Sequence, residues 1–537
     1  MARYAQHVTP APQLTKARAD QVQNHAGGYV FAADKWAQLD RFLILGCEGN
    51  TYYASERAMT VDNAKCVRAC LDENGPRAVA RIVEVSDAGR APKNDPAIFA
   101  LAMAAGHPDP VTRKAALSAL PRVCRTGTHL FHFARDVGSF RRWGRGLRSA
   151  VAAWYNAMTA ERRALQVAKY RQRDGFSHRD LLRLAHPSGK TPAHNAVFRW
   201  VVGEGSAALD HETRRGKAPA RVDLPEFLLA FEGLQAASSV SDVVALVRKH
   251  RLTHEMLPTE WKNHAAVWEA LLDEMPLTAL VRNLGKMTDV GLLAPLSAAA
   301  RRAAEQLTDQ AKLHKARVHP LSLLGALKVY EQGRGEKGKL TWQPNRTVVD
   351  ALNEAFYLSF KALEPTNKNH LLALDVSGSM TWGNLAGMPG VNPRVGSAAM
   401  AMATARVEQN WHVMGFSNKL VKVDVSPKMS LDETIKHIER VPMGGTDCAL
   451  PMIYAKQNKL EVDTFVVYTD NETWAGKVHP FQALRDYRQA SGRPAKLVVV
   501  GMTATGFTIA DPSDAGMLDV VGFDSAAPAI MADFARA

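Results

Sequence analysis

Two short polar motifs place oxygen atoms at regular spacing after apolar runs. Asp375, Ser377 and Ser379 form a D-x-S-x-S pattern that directly follows the run HLLAL. This pattern offers one carboxylate and two hydroxyls at alternating positions of a tight turn. Thr446 adds a hydroxyl after two glycines, and Asp470 adds a second carboxylate after the run TFVVYT. Hard oxygen donors suit a small divalent ion, so these five residues predict a metal site for which Mg²⁺ is the best-fitting ion.

The same residues also have a simpler interpretation. A D-x-S-x-S segment alone is typical of a strand-to-helix turn whose side chains cap the helix. Catalysis is not expected, because no nucleophile and base accompany the motif and two-metal hydrolases need more than two carboxylates. Asp447 and Glu472 lie close to the motif in sequence, and we expect them to be surface or capping groups. A metal-dependent nuclease is therefore only a weaker alternative.

The motifs belong to a region in which short apolar runs alternate with helical periodicity. The runs predict buried parallel strands at 370–375, 411–416, 464–469, 496–502 and 518–523. Helices are predicted between them at 395–408, 431–440, 449–457, 481–490 and 528–534. This alternation predicts a doubly wound α/β domain, in which ligands bind beyond the carboxyl ends of the strands. Asp375 and Asp470 are expected at that edge.

The preceding two-thirds of the chain has a different pattern. Residues 30–360 show apolar positions at three- and four-residue spacing, and proline or glycine marks the breaks. A helical stretch of this length predicts stacked helical hairpins of the solenoid kind, although no clean repeat period is present. We therefore expect a tail at 1–25, an all-α domain at 26–362 and an α/β domain at 363–537.

The positive charge is confined to the helical part. The chain carries a net charge of +14, but residues 363–537 contain 16 Lys and Arg against 18 Asp and Glu. Residues 1–362 contain 51 against 35 and hold the whole excess. This excess predicts a polyanionic partner for the helical domain, while solvated surface charge is the alternative.

A dense basic segment extends from Arg141 to Arg183. It contains eleven basic residues against three acidic ones: Arg141, Arg142, Arg145, Arg148, Arg162, Arg163, Lys169, Arg171, Arg173, Arg179 and Arg183. Lys169 and Arg173 are four residues apart and would share one face of a helix. His178 and His186 offer planar groups that stack on unpaired bases. Contact with RNA is favoured here over a merely solvated helix face.

A second phosphate-binding pattern is incomplete. Residues 333–339 fit the first seven positions of a G-x-x-x-x-G-K loop, but Leu340 replaces the required hydroxyl residue. The segment also follows a predicted helix instead of a strand. Binding of a nucleoside triphosphate is therefore not expected, and solvent exposure is favoured over contact with RNA phosphates.

Composition disfavours secreted and membrane proteins. The N-terminus has no apolar run of signal-peptide length, and no stretch reaches the roughly 18 apolar residues of a membrane span. The five cysteines, at 47, 66, 70, 124 and 448, lack zinc-ligand spacing and are expected to be reduced and buried. We expect a soluble, cytoplasmic protein.

Several blocks resemble a known family. The set 375–379, 446 and 470 resembles the metal-ion-dependent adhesion site of von Willebrand factor A domains. Four further blocks resemble the TROVE domain of the Ro autoantigen family: 41–53 (RFLILGCEGNTYY), 143–156 (WGRGLRSAVAAWYN), 169–186 (KYRQRDGFSHRDLLRLAH) and 274–287 (EMPLTALVRNLGKM). Cys47 and Asn50 depart from the small residues expected in the first block. The resemblance spans nearly the whole chain.

The resemblance implies a fold and a function. The fold is a ring of HEAT-like helical repeats joined to a Rossmann-like von Willebrand factor A domain, in a monomeric, non-enzymatic protein. Such a ring binds Y RNA on its exterior through positions that match Lys169, Arg173 and His186; the basic segment adds Arg141 and Arg142 as candidates. Single-stranded 3′ ends of misfolded or precursor noncoding RNA enter a central hole. In bacterial relatives the Y RNA tethers an exoribonuclease such as polynucleotide phosphorylase, which implies a role in RNA quality control, maturation or decay.

A protein-adhesion or scaffold module is the principal alternative. In von Willebrand factor A domains a carboxylate of a partner protein can complete the metal shell. The metal site would then carry the function, and RNA binding would be incidental.

Overall fold

The structure is a computed structural model that describes residues 10–46, 56–203, 205–207, 209, 223–336, 339–360, 364–388 and 390–537. The expected domain junction at 362–363, Cys47 and the end of the first family block lie outside these residues. The other four cysteines are buried and unbonded, as predicted. Within the described ranges, no helix is long and apolar enough to cross a membrane.

The first two-thirds of the chain is built from helices. They are Lys35–Leu45, Glu56–Ala88, Asp95–Gly106, Pro110–Val123, Gly127–Val137, Arg145–Asn156, Ala160–Lys169, His178–Ala185, Pro192–Gly203, Glu226–Gln235, Val240–His250, Ala265–Leu272, Leu277–Asp289, Ala298–Thr308, Gln310–Ala316, Pro320–Glu331 and Arg346–Leu358. Short strands accompany them: β1 (Gln21–Gln23), β2 (Tyr29–Ala32), β3 (Gln172–Arg173) and β4 (Phe176–Ser177). The longest helical segment is bent at Asn74, whose φ of −155° is not helical, two residues before Pro76.

Each helix packs mainly against near neighbours in sequence. Glu56–Ala88 packs against Pro110–Val123, and Asp95–Gly106 packs against Gly127–Val137. At the other end of the series, Ala298–Thr308 packs against Arg346–Leu358. Packing between successive neighbours is the architecture of a helical repeat array, as the sequence predicts.

The array closes on itself. The Nε2 atom of His319 lies 2.9 Å from the Arg90 carbonyl oxygen, although more than 200 residues separate them in the chain. A Cβ atom at Gly89 would lie 3.1 Å from the Cβ atom of Arg317, so the backbones meet closely. Burial lowers the pKa of His319 to about 4, so its neutral ring donates from Nε2 and accepts from the Leu321 amide at Nδ1. The predicted all-α ring is confirmed.

The C-terminal region is an α/β domain. Its strands are β5 (Asn369–Asp375), β6 (Asn410–Phe416), β7 (Leu420–Lys422), β8 (Thr464–Thr469), β9 (Lys496–Gly501), β10 (Phe507–Thr508) and β11 (Met517–Val521). Its helices are Pro393–Ala405, Leu431–Glu439, Leu450–Gln457, Pro480–Ser491 and Ala527–Arg536. A six-stranded sheet has the order β11-β9-β8-β5-β6-β7, and β7 is its antiparallel edge strand. The chain leaves β5 towards β6 and later returns to β8 on the other side, so the end of β5 is a topological switch point.

Side chains of β5 alternate between two apolar cores. Leu372 and Leu374 join the larger core, which continues into the helical ring. Leu371 and Ala373 join a smaller core with the helices Leu450–Gln457 and Pro480–Ser491. Because both faces of the strand are buried, its sequence reads as one apolar run. The doubly wound domain is confirmed.

Residues 10–32 pack on the α/β domain. They include most of the predicted tail and the beginning of the predicted helical domain. β1 and β2 form a hairpin, and β2 pairs with β10. Val30 and Phe31 are buried in the smaller apolar core. Sequence periodicity did not indicate these strands, because an alternation over three or four residues is too short to detect.

Buried arginines tie the ring to the α/β domain. Arg41 is fully buried, and its Nη2 atom lies 2.6 Å from a carboxylate oxygen of Asp519. The Nη2 atom of Arg90 lies 2.6 Å from the Asp524 carboxylate, and both side chains are largely buried. We call residues 89–90, 317–319 and 519–525 the seam, since the first and last parts of the ring meet the α/β domain there.

Removal of one partner of the Arg90–Asp524 pair should destabilise the seam. Asp524→Asn removes the buried counter-ion of Arg90 and leaves the exposed Glu84 carboxylate, 3.3 Å from its Nη1 atom, as the remaining one. The free energy of unfolding should fall by about 3 kcal/mol in chemical denaturation. Arg122→Ala, which removes an exposed pair with Asp87, is the control and should cost less than about 1 kcal/mol. Equal losses for the two variants would contradict a structural role for the seam pair.

Candidate nucleic-acid interface and metal centre

The five predicted metal ligands lie on loops at the carboxyl edge of the six-stranded sheet. Asp375 ends β5, and Asp470 directly follows β8, the neighbouring strand. Ser377 and Ser379 lie on the turn after β5, with their hydroxyl oxygens 3.1 Å apart. The Thr446 loop lies alongside, because the Thr446 carbonyl accepts a hydrogen bond from the amide of residue 474, 3.0 Å away.

Two buried carboxylates dominate the electrostatics of this edge. Burial, followed by the charge of Asp375, raises the pKa of Asp470 to about 8. Burial also raises the pKa of Asp375, although Thr469 donates its hydroxyl to that carboxylate at 2.7 Å. Arg394 lies nearby, but its Nη2 atom donates to a backbone carbonyl. A divalent cation at this edge would favour the ionised form of both carboxylates.

The hydroxyl of Thr446 is fully buried and has no hydrogen-bond partner among the described residues. A buried hydroxyl without a hydrogen-bond partner costs about 1–3 kcal/mol of stability, so an unpaired group of this kind needs an explanation. A bound cation that accepts a lone pair of the hydroxyl oxygen would explain it. Two carboxylates with three hydroxyls therefore fit a small, hard ion. In the described part of the chain, there is no group of three or more His, Cys, Asp or Glu residues that would indicate another kind of metal centre.

The N-terminal segment holds the loops that carry Thr446 and Asp470. Gln13 donates from Nε2 to Asp447 at 2.8 Å and accepts a hydrogen bond from the Thr473 hydroxyl. The Glu472 carboxylate lies 2.8 Å from Nδ1 of His25 and accepts from a backbone amide of the same segment. Asp447 and Glu472 are both buried, so the expectation that they are surface groups is wrong. The Asp447 carboxylate also accepts from the amide of residue 449, just before the helix Leu450–Gln457, but this helix has no side-chain cap.

Seven of the eleven basic residues in the segment 141–183 are exposed. They are Arg142, Arg145, Arg148, Arg162, Arg171, Arg173 and Arg183, and together with His186 we call them the basic surface. Arg141, Lys169 and Arg179 are half-buried.

Arg163 and His178 are core residues, so the expectation that they contact RNA is wrong. Arg163 donates from Nη2 to the Tyr155 carbonyl at 2.7 Å and lies 4.2 Å from the ring centroid of Phe198. His178 is buried with Nδ1 2.7 Å from the Tyr155 hydroxyl, and burial lowers its pKa to about 4. Both side chains help to hold neighbouring helices together.

Lys169 and Arg173 do not share a helix face. The helix Ala160–Lys169 ends at Lys169, and Arg173 lies on β3 of the hairpin that follows. Asp174 anchors this hairpin, because its carboxylate accepts from Arg135 at 2.8 Å and contacts His132. The Arg173 side chain is 65% exposed, with the Asp174 carboxylate 3.9 Å from its Nε atom. The hairpin therefore presents an arginine to solvent on an anchored support.

The remaining predicted RNA-contacting residues differ in how exposed their side chains are and in whether they already have partners. Lys169 is half-buried, and its Nζ atom lies 3.2 Å from the Glu255 carboxylate, so a phosphate must compete with that carboxylate. His186 is exposed and ends the helix His178–Ala185 in the left-handed conformation, with φ of 47°. Arg141 donates to the Ala105 carbonyl at 2.9 Å, whereas its neighbour Arg142 is exposed.

Comparison with known protein families matches both regions. A family model described as the TROVE domain matches residues 22–328 and 326–368. A model described as the Ro60 vWA domain matches residues 369–535. The chain belongs to the Ro60 family.

Ro60-family relatives match this chain over almost its full length. The RNA-binding protein RO60 of Deinococcus radiodurans is 44% identical over 529 residues, which cover 98% of this chain and 97% of that protein. The RNA-binding protein RO60 of Caenorhabditis elegans is 37% identical over 590 residues, with 97% and 91% covered. The crystal structure of the Deinococcus radiodurans RO (RSR) protein aligns with a TM-score of 0.69 and 44% identity, and covers 94% of this chain and 99% of that one. The family resemblance read from the sequence is confirmed.

The pKa of Asp470 predicts a pH dependence for this Ro60-family chain. The folded protein retains the Asp470 proton up to about pH 8, whereas an unfolded aspartate loses it at about pH 4. Between these pH values the folded state binds more protons than the unfolded state. In the presence of a metal chelator, the stability of the folded state should therefore fall as pH rises. Asp470→Asn should flatten the profile in denaturation between pH 5 and pH 8, whereas Asp533→Asn, at an exposed site, should not. Parallel profiles for wild type and Asp470→Asn would sink this account.

Proposed function

We propose that this protein binds RNA without cleaving it and that the basic surface holds the phosphates of a structured RNA. The names of its relatives support RNA as the polyanion. The observation that carries the proposal is the exposure of seven arginines in one short segment, with Arg173 on an anchored hairpin. Most contacts in such interfaces go to phosphates, for which arginine is well suited.

We infer from the family resemblance that the structured RNA is a Y RNA on the exterior of the ring. The single-stranded 3′ end of a misfolded or precursor RNA would enter the central hole, which a duplex is too wide to enter. An exoribonuclease such as polynucleotide phosphorylase, tethered through the Y RNA, would then process that end. In this role the protein acts as a monomeric, cytoplasmic cofactor of RNA quality control.

We also propose that the edge formed by Asp375, Ser377, Ser379, Thr446 and Asp470 binds Mg²⁺. The buried, unpaired Thr446 hydroxyl and the raised pKa of Asp470 support this assignment. Two further carboxylates nearby, Asp447 and Glu472, are already engaged by the N-terminal segment, which leaves too few free carboxylates for a two-metal hydrolase.

A metal-dependent protein-docking role is the second candidate. Trp382 follows the turn that carries Ser379, and Met443 precedes the glycine loop that carries Thr446. Their exposed fractions of 55% and 62% are high for large apolar side chains. Apolar groups beside a cation would suit a protein partner that offers a carboxylate.

Charge reversal at Arg173 tests the RNA interface. Arg173→Glu should weaken binding of a structured RNA in gel-shift titration by about tenfold or more and reduce the salt slope by about 1, because a phosphate contact is lost. Arg173 is a better position for this substitution than Lys169, because a glutamate at 169 would also repel Glu255. It is also better than His186, because most residues adopt the left-handed backbone conformation of that position only with strain.

The control for this experiment is Arg301→Glu, which reverses an exposed charge on the helix Ala298–Thr308 outside the basic surface. It should leave the RNA affinity nearly unchanged. If the two variants bind equally well, the basic surface is not the RNA interface.

Replacement of Thr446 by valine tests the metal site. Thr446→Val keeps the side-chain shape and removes the unpaired hydroxyl, so stability in a chelator should be unchanged or higher by about 1 kcal/mol. In wild type, Mg²⁺ should raise the midpoint of thermal unfolding, because a ligand that binds the folded state stabilises it. The valine variant should lose that response.

Thr464 provides a matched control at the opposite end of β8, because its hydroxyl is also buried and unpaired among the described residues. Thr464→Val should retain the Mg²⁺ response. A full Mg²⁺ response in Thr446→Val would rule out Thr446 as a ligand.

A further inference from the structure

A cleft of about 670 Å³ lies next to the seam, on a part of the molecule distant in sequence from the basic segment. Its walls come from residues 91–93, the helices Leu277–Asp289 and Pro320–Glu331, residues 335, 336, 340 and 342, and residues 387–388 of the α/β domain. Ring and α/β domain thus both contribute to it. A cavity of this volume matches ligands of roughly nucleotide to drug size. We call it the seam cleft.

The charged residues of the seam cleft are mostly cationic. Four of its lining residues are basic and one is acidic: Lys93, Arg282, Lys286, Arg317 and Glu336. Lys286 is already paired, with Nζ 2.8 Å from the Asp289 carboxylate. Arg282 and Arg317 both line the cleft and are exposed, so both guanidiniums are accessible to an anion from solution.

An aromatic side chain forms one apolar wall of the seam cleft. Trp342 donates from Nε1 to the Tyr330 carbonyl at 3.0 Å, and the two rings are stacked with centroids 5.9 Å apart. The ring lies directly on Gly285, where a Cβ atom would be 2.7 Å from a Trp342 ring carbon. Any larger residue than glycine at this position would push the indole away. Val281 and Met388 extend the apolar lining.

Residues of the incomplete phosphate-loop pattern lie at the rim of the seam cleft, where they do not form a phosphate-binding loop. Gly335, Glu336 and Leu340 line the seam cleft, and residues 334 and 341 pair as an antiparallel bridge. The segment follows a helix, and Leu340 supplies no hydroxyl for a metal-bound triphosphate. The cations around this cleft lie on helices and turns, at Arg282 and Arg317, and suit a single phosphate.

We propose that the seam cleft binds a nucleoside monophosphate, with its phosphate at Arg282 and Arg317 and its base on the apolar wall around Trp342. Cations beside an apolar wall in one cleft are the complement of such a ligand, which joins an anionic phosphate to a base with apolar faces. A free nucleotide and a nucleotide within a single RNA strand share this chemistry. The proposal goes beyond the basic surface, since it holds for a free nucleotide even if no RNA binds there.

Equilibrium dialysis of the full chain with 5′-AMP and with single-stranded oligoadenylate, at low salt, tests the proposal. The double variant Arg282→Ala/Arg317→Asn removes both guanidiniums, and asparagine tolerates the left-handed backbone of residue 317, where φ is 51°. Affinity for at least one of the two probes should fall tenfold or more. Arg301→Ala removes an exposed arginine outside the cleft and should leave the affinity unchanged. If the double variant fails to fold, Arg282→Ala alone replaces it.

The two probes distinguish the sources of the nucleotide. If the wild type binds AMP and the double variant does not, the cleft is a site for free nucleotides. If the double variant loses only its affinity for oligoadenylate, the cleft is a site for a nucleotide within a strand. Arg173→Glu should not change AMP binding, which separates this site from the basic surface. No binding of either probe, equal binding by the double variant, or competition by inorganic phosphate as strong as that by AMP would overturn the proposal.

Discussion

Buried charge pairs between segments that are far apart in the chain attach the helical ring to the α/β domain. An open helical array has two ends, and each end exposes apolar surface. Here the first end is held on the α/β domain by the pairs Arg90–Asp524 and Arg41–Asp519, and the last end meets the first where His319 contacts the Arg90 carbonyl. A buried pair of this kind adds little over apolar packing, but its geometry is demanding and its disruption is costly. The pairs therefore fix which surfaces meet, while the continuous apolar core supplies the stability.

The two candidate sites lie on different domains of the closed structure. The basic surface belongs to helices and a hairpin in the ring, and Asp174 keeps that hairpin against the helix Gly127–Val137. The metal edge belongs to the α/β domain, and the N-terminal segment covers its flank through Gln13 and His25. Phosphates and a divalent ion require opposite local charge. The ring carries the positive excess and the α/β domain carries buried carboxylates, so the chain separates the two requirements by domain.

The sequence predicts features that are local and repetitive better than features that depend on distant contacts. Asp375 and Asp470 were placed correctly at a sheet edge, because each directly follows a strand whose two buried faces produce an apolar run. Burial of single charged residues was not predictable: Arg163 and Arg162 are adjacent and equally charged, yet only Arg163 points into the core. The contact of Gln13 with Asp447 spans 434 residues and has no periodic signal. Arg173 was assigned to a helix face because spacing of four residues does not reveal where a helix ends.

A map of protein–RNA contacts by ultraviolet crosslinking tests most directly whether the basic surface binds RNA. The wild-type chain would be crosslinked to a structured RNA that carries 4-thiouridine, and the modified peptides identified by mass spectrometry. If the basic surface holds the RNA, crosslinks should concentrate in residues 141–186, at exposed positions such as Arg142, Arg173 and His186. Crosslinks confined to residues 369–537, or spread evenly over the chain, would contradict it.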